Sequence, residues 1–150
     1  MENSDPPLSD TNPALAAERG GKWRRLVLWI LAGSLICLIF AASWAQDSQM
    51  VKLGWVPGWV GILADRDPNI RTAVPFIPLS FLLMGGLWRL GSRAALAWTI
   101  AVSGSCLGLS EFGQTLLPHR TADVRDLLWG GCGILVGTAL GWMFSQWRRW

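Results

Sequence analysis

The chain has 150 residues, 51% of them hydrophobic and only 15% charged, with 11 Trp, no Tyr and a formal net charge of +3. Soluble domains carry roughly a quarter charged residues. That deficit, with a mean hydropathy of +0.34, excludes a disordered chain, a coiled coil and a disulfide-rich secreted module, and argues against a soluble enzyme.

Residues 1–21 are rich in Pro, Ser, Asp and Asn and end in Gly20-Gly21. Four acids (Glu2, Asp5, Asp10 and Glu18) face one base, Arg19. Such a segment buries too little apolar surface to fold alone. A mobile cytoplasmic tail is predicted, ahead of one membrane domain at 22–150.

Lys22, Arg24 and Arg25 then precede a charge-free run at 26–46. It exceeds the 7–15 apolar residues of a typical signal peptide, so an uncleaved anchor is expected. Further charge-free runs follow at 72–88, 94–110 and 127–147. The third lengthens if its helix passes Glu111 and reaches Leu117. A spanning helix needs about 20 apolar residues, with about 17 as the lower limit. Helices of a soluble domain would instead carry charge on their outer faces. The predicted fold is therefore all-α: a polytopic membrane protein with a four-transmembrane-helix bundle. The spans are expected at about 26–46, 72–88, 94–117 and 127–147.

Between the first two spans, residues 53–63 are apolar but too short to cross and broken by Pro and Gly. They read as a short interfacial helix carrying Trp55 and Trp59 on one face, or as a loop packed on the bundle. Pro75 and Pro78 are expected in the first turn of the second span, where a missing N–H is tolerated. In the fourth span Gly133, Gly137 and Gly141 form Gly-x-x-x-Gly-x-x-x-Gly, a flat strip for close helix packing, inside the bundle or across a dimer.

The bases mark orientation. Lys22, Arg24, Arg25, Arg89, Arg93, Arg148 and Arg149 fall on one side of an alternating chain. Lys52, Arg66, Arg71, Arg120 and Arg125 fall on the other, diluted by Asp47, Asp65, Asp67, Glu111, Asp123 and Asp126. The excess of bases predicts cytoplasmic termini. Bases at span ends, rather than along one stripe, also exclude a nucleic-acid partner. Trp23, Trp44, Trp88 and Trp147 stand at span edges, where amphipathic rings anchor at the headgroups. Cys37, Cys106 and Cys132 lie inside spans as small packers. His119 has no companion ligand, and neither a metal nor a cofactor is expected.

One segment concentrates polar chemistry. Glu111 and Gln114 share a helix face three residues apart, and Asp123 and Asp126 repeat that spacing before the fourth span. Pro118 marks the turn between them. If the third span reaches Leu117, Glu111 lies about six residues, roughly 9 Å, below the surface. An ionised carboxylate there costs a few kcal/mol unless paired or wetted. Arg120 and Arg125 are the expected partners, because a guanidinium matches a carboxylate or a phosphate. Glu111, Gln114, Arg120, Asp123, Arg125 and Asp126 thus form either a clamp between spans three and four or a pocket open to the outer headgroups.

This segment resembles the VanZ-like family of small membrane proteins. The family pattern is Glu-x-x-Gln near a span end, then Arg-x-x-Asp-x-x-Asp, then a Gly-containing span. Glu111, Gln114, Arg120, Asp123, Asp126, Gly133 and Gly137 match it. Pro75-Phe76-Ile77-Pro78-Leu79-Ser80 is similar to the Phe-x-Pro-x-Gly run of many members, with Ser80 in place of Gly. The departures are Arg125 before Asp126 and Trp129-Gly130 where members often carry Asn. The resemblance spans roughly residues 65–142. It implies a cell-envelope role in the bacterial cytoplasmic membrane; the family's named member is associated with resistance to the glycopeptide teicoplanin.

Three functions compete. The first is a protein whose outer cluster binds a lipid or glycolipid headgroup. The second is an accessory subunit of a larger membrane complex, suited by small size and the Gly strip. The third is an enzyme using the paired carboxylates, which lacks an evident nucleophile and is the least supported.

Overall fold

The computed structural model describes residues 13–45, 49–52, 54, 57–117 and 123–147. All regular structure among them is helical. Four helices are long and apolar enough to cross a bilayer, and the chain is an integral membrane protein.

Helix α1 runs Pro13–Ser43. It begins well before the first charge-free run, because Ala14, Leu15, Ala16, Ala17, Glu18 and Arg19 are strong helix formers. Residues 13–21 of the expected tail thus continue the helix, and residues 1–12 lie outside the described residues. At 31 residues the helix is about 46 Å long. A hydrocarbon core of about 30 Å leaves its first turns outside the bilayer.

Helix α2 (Gly58–Arg66) is the short element expected between the first two spans. Trp59 on it is 74% exposed; Trp55 lies outside the described residues. Helix α3 follows at Pro68–Leu87. Its start is set by Asp67, whose carboxylate accepts the Asn69 N–H at 2.9 Å, and by Pro68 in the first turn. Pro75 and Pro78 therefore sit in the helix interior rather than in its first turn. Neither has an N–H, so the carbonyls of Arg71 and Val74 lose their normal helical donors. Prolines are tolerated inside membrane helices, where neighbouring helices, hydroxyl side chains or local backbone adjustment can re-satisfy such carbonyls.

A 3-10 turn at Trp88–Leu90 and Gly91, at φ +90°, reverse the chain. That left-handed backbone suits glycine. Helix α4 (Ser92–Thr115) ends two residues before the expected Leu117. The amides of Leu116 and Leu117 donate back to the Gly113 and Gln114 carbonyls at 3.2 and 3.1 Å, which closes the helix. Helix α5 (Val124–Trp147) is capped by Asp123, whose carboxylate accepts the Arg125 N–H at 2.9 Å.

The most extensive helix contact joins α3 and α5. A Cβ at Gly133 would overlap the Ala73 carbonyl, and one at Gly137 the Ile77 carbonyl. A Cβ at Gly141 would come within 2.8 Å of Met84 Cβ. The strip therefore faces α3 of the same chain and lets two backbones touch. Leu107 of α4 sits over Gly130 in the same way. Ala32 and Ile39 of α1 join Phe76, Leu79, Leu83, Leu107 and Ile134 in the core.

Hydroxyls run through this core. Ser80 Oγ donates to Ser103 Oγ at 3.0 Å, linking α3 to α4. Thr99 Oγ1 reaches Met84 Sδ at 3.8 Å. In lipid, apolar side chains gain little by leaving one hydrocarbon phase for another, so close backbones and such bonds carry association. The outer surface keeps large apolar side chains, among them Trp29, Ile30, Leu135, Val136 and Trp142. Trp23 and Trp147 are exposed at helix ends, and Trp88 is half-buried. Trp44 stacks near Phe40, with ring centroids 5.0 Å apart, and its indole covers Gly113.

Candidate functional site

A pocket of about 60 Å³ lies where α1 and α4 end and α3 and α5 begin. Four helices supply its wall. Helix α1 gives Ile39, Ala42 and Ser43. Helix α3 gives Arg71, Thr72, Pro75 and Phe76. Helix α4 gives Ser110, Glu111 and Gln114, and α5 gives Asp126.

Glu111 and Gln114 are both buried, at 5% and 8% exposure. Their three-residue spacing brings Gln114 Nε2 to 3.3 Å from Glu111 Oε1, to which it donates. Ser110 turns its hydroxyl to the Leu107 carbonyl at 2.8 Å. Across the pocket, Thr72 Oγ1 donates to Asp126 Oδ1 at 3.1 Å. That bond ties the second turn of α3 to the first turn of α5, near the glycine strip that binds the same two helices. Glu111 lies four residues before the end of α4, about 6 Å deep. It sits where a carboxylate needs a polar surrounding, and the guanidinium-bearing Arg71 lines the same small volume.

The structure redistributes the sequence-derived cluster. Glu111, Gln114 and Asp126 come together in the pocket. Asp123 and Arg125 are exposed and take no part in its wall. Asp123 is the cap of α5. Arg120 lies outside the described residues. Among the described residues the cation lining the pocket is Arg71, which belongs to α3 rather than to the connection between spans three and four. In the sequence Arg71 reads as orientation charge flanking the second span, and Thr72 as that span's first, uncharged residue. Their signal was position: one turn after the Asp67 cap, at the same bilayer depth as the end of α4.

Two carboxylates, a guanidinium, a carboxamide and three hydroxyls line the pocket and can accept and donate at close range. A free volume of about 60 Å³ holds a few waters. Among the described residues no three His, Cys, Asp or Glu side chains gather as a metal site requires.

A family model described as VanZ/LLP1 matches residues 26–145. No curated protein and no solved structure matches the chain.

Proposed function

The chain belongs to the VanZ/LLP1 family, and from that premise we propose that its small polar pocket receives the headgroup of an envelope lipid, in the class of hydroxyl-rich or glycan-bearing lipids. One observation carries this reading. Arg71, Thr72, Glu111, Gln114 and Asp126, from three spans, converge on one pocket at the bundle end. Carboxylates accept from sugar or glycerol hydroxyls, while Arg71 and Gln114 donate to their oxygens. Ile39, Ala42, Pro75 and Phe76 give the same pocket an apolar side, which suits a ligand still anchored in lipid. That the family includes a teicoplanin-associated member supports the same reading, because masking a glycan-bearing lipid would alter glycopeptide susceptibility.

The test is to replace Glu111 by Gln and Arg71 by Gln in cells that depend on this protein. Teicoplanin susceptibility and retention of glycolipid by the purified protein are then measured. Retention is expected to fall and susceptibility to rise, each toward the level seen without the protein. Unchanged values at normal protein abundance would sink the proposal. The glycine strip does not favour the accessory-subunit reading, since it is covered by α3 of the same chain.

A further inference from the structure

At the opposite end of the bundle, α1, α3 and α5 leave an open cleft of about 840 Å³. Its rim carries Lys22, Arg24, Arg25 and Arg89, and no acidic side chain lines it among the described residues. Below the rim the wall becomes apolar. Leu28, Gly85, Trp88 and Phe144 are shared with a second hollow of about 270 Å³, which adds Phe81, Gly141 and one hydroxyl-bearing residue, Ser145. The cleft and the hollow adjoin along these shared residues. From Lys22 to Leu28 the wall descends six residues, about 9 Å along α1. Gly85 leaves the passage open, since a Cβ there would meet only Leu28 Cδ1, at 4.0 Å.

We infer that this cleft binds one anionic phospholipid of the bilayer, with its phosphate among Lys22, Arg24, Arg25 and Arg89 and one acyl chain in the Leu28–Phe81–Phe144 hollow. The occupant follows from the amphiphilic order of the wall. Cations at bilayer-surface depth attract a headgroup phosphate. Directly beneath them, an apolar hollow opens between helices where a chain replaces missing side-chain contacts. Trp23 and Trp88 flank the rim at the level where indole rings prefer the headgroups. A soluble anion would need only the rim; the hollow would then stay unexplained. This site is separate from the Glu111 pocket and uses none of its residues.

The test is native mass spectrometry of the full chain, released from an equimolar mixture of dioleoyl phosphatidylglycerol and dioleoyl phosphatidylcholine. Phosphatidylglycerol is expected to be retained roughly tenfold over phosphatidylcholine. Arg25→Gln and Arg89→Gln are each expected to lower its retention about fivefold, the typical weight of one basic residue at a membrane surface. Arg89→Lys should keep most of it. Gly85→Leu fills the hollow and leaves every cation in place, so it should lower retention of both lipids. Thermal denaturation in detergent checks that each variant is folded, and both Arg sites are on the exterior. Four results would overturn the inference: equal retention of the two lipids, retention indifferent to both Arg substitutions, displacement by inorganic phosphate alone, or a dimer that Gly85→Leu dissolves.

Discussion

Gly137 of α5 lies so close to the Ile77 carbonyl of α3 that any side chain there would overlap the oxygen. The same geometry recurs one turn earlier, between Gly133 and Ala73. These carbonyls lie on the Pro-interrupted stretch of α3, where Pro75 and Pro78 remove two internal amide donors. The close approach of glycine lets Cα–H groups face them. Gly137→Ala is expected to force α3 and α5 apart and cost about 1–3 kcal/mol, as overpacking typically does. Denaturation in mixed micelles measures this. Gly131→Ala, where a Cβ meets nothing within 4 Å, should be silent.

Trp44 and Gly113 make a second close fit, between the chain just beyond α1 and the last turns of α4. Gly113→Ala should be destabilising because the indole must move. In a Trp44→Leu background the same change should cost much less. The double-mutant cycle isolates that coupling, and additivity of the two substitutions would contradict the packing.

Thr72 and Asp126 join α3 to α5 beside the pocket. Thr72→Val removes the donor at constant shape and should cost about 0.6 kcal/mol, the usual size of such a bond in a membrane. Asp126→Asn keeps an acceptor for Thr72 and should leave stability nearly unchanged. It should still weaken headgroup retention, because a carboxylate that receives hydroxyl donors is lost. The two variants thus separate a clamp from a binding site.

The basic residues predict cytoplasmic termini. Leu90 and Leu116 are exposed at opposite ends of α4. In a background lacking Cys37, Cys106 and Cys132, an impermeant maleimide applied to intact cells should label Leu116→Cys and spare Leu90→Cys. The reverse pattern would invert the orientation.

The spans were legible because charge is absent from them and the bilayer forbids it. Their ends were less so. Asp67 starts α3 early through one side-chain bond, and this moves Pro75 and Pro78 from the first turn to the interior. Within the polar cluster, Glu111 and Gln114 were legible since a helix fixes their spacing. Arg71 was not, because its place on the same pocket wall as Glu111 depends on how α3 packs against α4, and no local pattern encodes that. The glycine strip announced a close contact without naming its partner; the Ala73 and Ile77 carbonyls supply it.

Helix α1 touches the bundle through a narrow face and otherwise displays Trp29, Ile30, Leu31 and Leu38 to lipid. Of the four spans it is synthesised first, before α3 and α4, its docking partners, exist. An all-round apolar surface lets it reside alone in the bilayer during that interval. Helix α4 is in the opposite position. Its Ser103, Ser110, Glu111 and Gln114 are buried against neighbours, and lipid would meet them unfavourably. Helix α4 is therefore the span whose insertion depends on company, with α3 already in place to receive it and α5 arriving to seal it. Truncation after α4 should yield a chain that the membrane quality-control proteases remove, whereas α1 by itself should persist.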